Sequence, residues 1–124
     1  MIAHKEIHED AGATFMARIL GNAGTPITQA GLTSITCKVI DLDSDTPATA
    51  VLTPSITVSG VINDTLQTSD ARWTADTTGY NFLDAMPATA FPSARHRYVV
   101  QYTFTPTSGA VFVVEFHVKT RRVW

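Results

Sequence analysis

The sequence predicts an all-β chain, folded as a single antiparallel β-sandwich of about seven short strands. Three observations carry this. In the last quarter Tyr98, Val100, Tyr102 and Phe104 alternate along one run, with Gln101 and Thr103 on its other face, and Phe112, Val114, Phe116 and Val118 repeat at the same period of two. Turn-forming clusters recur roughly every 8–15 residues along the chain. No segment shows a sustained 3.6-residue apolar period.

Each element follows from local chemistry. Residues 1–12 are polar and read as an arm or a short helical turn ahead of the domain. Residues 14–20 form the first expected strand, with Phe15, Ala17 and Ile19 toward the core. The glycines and Pro26 in 21–26 end it, and 27–33 reads as a loop or a crossover between sheets. Residues 34–41 form the second, with Ile35, Cys37 and Val39 inward. Residues 49–59 are a third strand region, although Pro54 disfavours a central place in a ladder. Residues 60–67 make a fourth and 79–87 a fifth, the latter entered through Gly79. The final hairpin turns at 105–109, where Pro106 pre-sets φ and Gly109 tolerates a positive φ. The boundaries expected are therefore an arm at 1–12, a sandwich at 13–120 and a tail at 121–124, in an arrangement of immunoglobulin-like type.

At 124 residues the chain is one domain, large enough to bury a core without disulfides or metal. Charged residues are 16% of it, against about 25% in an ordinary soluble domain. That leaves neutral surface for contact. Net charge is −2, which gives no basic field for nucleic acid. Residues 1–94 hold four Lys/Arg against ten Asp/Glu, a charge of −6, and residues 95–124 hold five against one, +4. If the two regions occupied different faces, copies could attract head to tail. The lone Cys37 reads as a small buried hydrophobe. The N-terminus has no apolar signal core and no run is long enough to span a membrane, so synthesis in a cytoplasm is expected, without membrane partners.

The sequence carries few chemistry-bearing patterns. His4, Glu6, His8 and Glu9 could approach a metal if helical, which is a weak pattern. Asp41, Asp43 and Asp45 resemble the start of a calcium loop, but Thr46 and Leu52 stand where Gly and a bidentate Glu belong. A solvated turn is the expectation there. No nucleophile motif, phosphate loop or zinc spacing occurs, so no enzyme and no cofactor are expected. Trp73 and Tyr80 with loop aspartates leave one rival reading, a carbohydrate- or ligand-binding sandwich.

The pattern Ala17-x-Ile19, Gly24-x-Pro26-Ile27 and Ile35-x-Cys37-x-Val39-x-Asp41, followed by Tyr98-x-Val100-x-Tyr102-x-Phe104 and a glycine turn, resembles immunoglobulin-like domains of tailed-bacteriophage structural proteins. The N-terminal domains of phage baseplate upper proteins are similar. Asp64-Thr-Leu-Gln-Thr68, Arg72-Trp73 and Gly79-Tyr-Asn-Phe82 resemble small proteins encoded among virion genes of environmental phages. The likeness spans residues 14–118, and Arg95-His96-Arg97 stands where such domains often carry a turn glycine. It implies a virion building block, made in the bacterial host, that binds copies of itself and other virion proteins. Capsid decoration and a neck or tail adaptor are the places it implies.

Candidate contact residues come from the C-terminal strand. Val111 and Val113 alternate with core-facing Phe112 and Val114, so both faces of that run are apolar and the outer one awaits cover. The tail residues Arg121, Arg122 and Trp124 are expected to reach into a neighbour.

Overall fold

The computed structural model describes residues 2–8, 11–21 and 23–122. They form an all-β sandwich of seven strands, β1 (Ile2–His8), β2 (Ala13–Ala17), β3 (Leu32–Asp41), β4 (Ile62–Gln67), β5 (Tyr80–Met86), β6 (Arg97–Pro106) and β7 (Phe112–Arg121). One sheet has the order β1-β7-β6-β3 and the other β2-β5-β4. Among the described residues helical structure is limited to one four-residue turn, α1 (Val58–Val61), and two short 3-10 turns. No helix among the described residues is long and apolar enough to cross a membrane.

Seven strands were expected and seven are found, but their membership differs. Residues 49–59 are not a strand. Only Leu52 touches a ladder, bridging to Val39, before the chain enters α1. Pro54 can donate no ladder hydrogen bond, which is consistent with this. The seventh strand comes instead from the segment expected to be an arm. β1 lies against β7 in parallel, from Ile2 beside Glu115 to His8 beside Arg121. The sandwich is therefore antiparallel except at this edge, and it begins within the residues read as preceding it. At the other end β7 continues to Arg121, into the residues read as a tail.

The hairpin of β6 and β7 pairs Tyr98 with Val118 and Phe104 with Phe112. Gly109 turns it with φ of 99°, a conformation that disfavours any side chain. Inward aromatics from the two sheets interdigitate. Phe15 on β2 lies 4.7 Å from Phe116 on β7, and Phe82 on β5 lies 4.9 Å from Tyr102 on β6. Such pairs add about 0.5–1.5 kcal/mol each beyond the area they bury. Tyr102 also crosses the layer with its hydroxyl, which donates to Asp84 at 2.6 Å. Burial and that carboxylate push the phenol pKa upward. Cys37 is buried beside them, as expected.

Candidate assembly surface

The surface is built on β7. Its inward residues Val114, Phe116 and Val118 are buried, and the alternating residues face out from the four-stranded sheet. Val113 is 41% exposed and Val111, just before the strand, is 56% exposed. Among the described residues no loop of the same chain buries them. Phe112 is half-buried, stacked flat on Phe104 at 5.0 Å.

Two features set this end of β7 apart. The register of β1 begins at Glu115, so among the described residues Phe112, Val113 and Val114 have a strand partner only in β6. Among the described residues one side of that stretch of backbone edge is therefore unpaired, the arrangement that accepts another strand or another subunit. Beside it runs the segment after β2. Leu20, 48% exposed, and Gly21 share an open cavity of about 390 Å³ with Phe112 and Val113. Leu20 completes an apolar patch that sequence reasoning missed. It lies past the end of its strand and reaches the patch only because the two sheets stack.

The other end of β7 is occupied by β1. His4 and His117 are register partners whose rings meet edge to face at 5.3 Å. Glu115 links the neighbouring strands, accepting from Gln101 at 3.0 Å and contacting His117 at 3.3 Å. Those two contacts, Gln101 first, hold its carboxyl below the ordinary range. Arg121, expected to reach a neighbour, pairs with Glu6 of its own chain at 2.8 Å. It ties down β1. Arg122 is exposed, and Trp124 lies outside the described residues. Arg97 likewise pairs with Asp43 at 2.9 Å. These two bridges join the basic C-terminal region to the acidic remainder, so the charge imbalance along the sequence is in part neutralised within the fold.

The aspartates at 41–45 do not converge on a cation. Asp41 is buried, takes the amide of Asp43 at 2.9 Å and faces His96 Nδ1 at 2.7 Å. Asp43 accepts three hydrogen bonds from Arg97, which lower its carboxyl to about 2. Asp45 is exposed. Among the described residues no group of three or more His, Cys, Asp or Glu is placed to hold a metal. His4, Glu6 and His8 lie on one face of a strand, not a helix, and Glu9 lies outside the described residues. The pair of His96 with Asp41, separated by 55 residues, has the geometry of an oriented base, but the ring's hydrogen-bond partner is Asp41 alone among the described residues.

Trp73 and Tyr80 meet at 5.7 Å, tilted by 48°, with Tyr80 buried and Trp73 half-buried. The indole N–H is used by Asp76 at 3.2 Å. They present no flat exposed pair for a sugar ring. The turn before β6 is also resolved. Arg95 takes φ of 60° where the resembling domains often have glycine, and the Tyr98 hydroxyl accepts the Ser93 amide at 2.9 Å.

No protein-family model matches the chain, and no curated protein and no solved structure matches it either.

Proposed function

We infer that this chain is a structural component of a tailed-phage virion, a decoration or minor capsid protein or a neck or tail adaptor, that works by binding neighbouring subunits. The observation that carries the binding part is the exposed Leu20, Val111 and Val113 beside a stretch of β7 that, among the described residues, is paired on one side only. Burying such a patch removes apolar surface from water, and an open edge offers backbone hydrogen bonds to whatever docks. The virion part rests on the resemblance in strand pattern and turn placement. An immunoglobulin-like reading of the sandwich is supported by the tyrosine at the start of β6, whose hydroxyl bonds to backbone five residues upstream.

Val113→Lys tests the surface. The side chain is outward, so the variant should fold with stability within about 0.5 kcal/mol of the parent. Light scattering across a concentration series should show the parent associating and the variant shifted toward monomer. A parent that stays monomeric throughout, or a variant that unfolds, would sink the reading.

A further inference from the structure

We propose that β1 is an exchangeable strand, which in the assembled protein leaves its own domain and lies in the same parallel register on β7 of a second copy. The proposal rests on the assembly reading above and names its partner. The buried core, among the described side chains, runs from Ala13 to Val118 and includes no fully buried residue of β1. Ile7 packs against it only half-buried, and His4, Lys5, Glu6 and His8 are exposed. Removing β1 therefore leaves the rest of the sandwich core in place. It does strip the edge of β7 from Glu115 to Arg121 of its ladder partner. An unpaired edge of that length recruits a strand.

The strand that fits is the same strand from another copy. Every contact that holds β1 is repeated by an identical chain: the His4–His117 ring contact, the Glu6–Arg121 bridge, and the hydrogen bond from Lys5 Nζ to the Thr14 carbonyl. The connection favours exchange, because β1 ends at His8 and β2 begins at Ala13. Short hinges of this kind are a common route to swapped dimers. Fully extended, that hinge reaches roughly 17 Å, which forces the two bodies of an exchanged pair into contact. They meet at the end where β7 finishes. Leu42 stands there, 41% exposed, over a groove of about 650 Å³ shared with Arg97 and Lys119. The exchanged strands conserve their own contacts, and this new contact between bodies supplies the driving force.

The test uses single-thiol variants in a Cys37→Ala background. His4→Cys is mixed with His117→Cys in a glutathione redox buffer, and linked peptides are mapped by mass spectrometry. Neither variant can close a 4–117 bond within itself. Exchange sets the two thiols in register, and the expected result is at least about tenfold more 4–117 linkage than 4–4 or 117–117 linkage. Glu6→Cys mixed with Lys119→Cys should behave alike, and His4→Cys mixed with Lys119→Cys, which is off register, should not. Circular dichroism and melting check that each variant folds, and the second pair keeps the test valid if the first does not. Association of the parent without enriched 4–117 and 6–119 linkage overturns exchange and leaves contact through Val113 standing. Absence of both association and linkage overturns exchange and the assembly reading together.

Discussion

Asn81 has no role in the assembly surface, yet it fixes where Leu20 stands. It is fully buried on β5. Its carboxamide accepts the Ile19 amide at 2.7 Å and donates to the Ile19 and Ile27 carbonyls, each at 3.0 Å. The side chain thus satisfies both sides of the loop that leaves β2, which a backbone strand would otherwise do. Nothing in the local sequence marks it, because an asparagine in a strand gains this meaning only from carbonyls 62 and 54 residues away. Asn81→Ala strands two buried backbone groups, the Ile19 amide and the Ile27 carbonyl, while the Ile19 carbonyl keeps the Ile27 amide at 2.9 Å; each costs about 1–3 kcal/mol when left unpaired. The expected loss is roughly 2 kcal/mol or more, read as a lowered urea midpoint with an unchanged slope. A loss under about 0.5 kcal/mol, the range of neutral surface changes, would show that water replaces the amide and that the loop holds itself.

Among the elements, legibility followed side-chain pattern and not place in the sheet: the edge strand β3 was as legible as the central β6, and the edge strand β1 was not. β3 and β7 alternate because each has one side in the core, and β6 does so from Val100 onward, Val99 being buried beside Tyr98. β1 carries polar residues on both sides, His4, Glu6 and His8 against Lys5, so no hydrophobic period announces it. The patch was half legible for the same reason. Val111 and Val113 break the expected polar alternation, and Leu20 does not. The loop before β5 is held by chemistry that can be titrated. Asp76 Oδ1 accepts from the Trp73 indole and from the Thr78 and Gly79 amides, and Oδ2 accepts from Arg18 at 2.7 Å. The Gly79 amide, then Arg18, lowers this carboxyl to about 2 from 3.8. A depressed carboxyl stabilises the fold above its unfolded value and loses that contribution as pH falls. Carbon-detected NMR should place the Asp76 midpoint near 2, with the Gly79 amide shift following the same curve. The window for loosening the loop is pH 4 down to 2. A midpoint near 3.8 would mean the cluster does not form in solution. Gly79 itself cannot be varied freely, since a Cβ there would stand 2.4 Å from the Gln67 carbonyl oxygen at φ of 104°.

At the scale of the molecule, strand exchange and global unfolding must be separable, and Cys37 separates them. The thiol lies in the core on β3, far in the sheet order from β1, with β6 and β7 between. Burial, then the nearby Asp84 carboxylate, raises it to about 12 from 9.0. At pH 8 it is a neutral thiol with only 7% of its surface exposed, so reaction runs chiefly through a chain whose sheets have parted. A domain of this size with a few kcal/mol of stability populates that open state at about one part in a thousand or less. Labelling by a disulfide reagent at pH 8 should therefore run at least about a thousandfold slower in buffer than in denaturing urea. Release of β1 leaves the core closed, so the labelling rate should be the same at concentrations that favour monomer and at those that favour exchange. Above pH 9 the unfolded thiol ionises first, so this group's contribution to stability falls as pH rises toward about 12, and labelling should accelerate there. Fast labelling at pH 8, or a rate that climbs with exchange, would mean that β1 is part of the cooperative core and that assembly opens the whole sandwich.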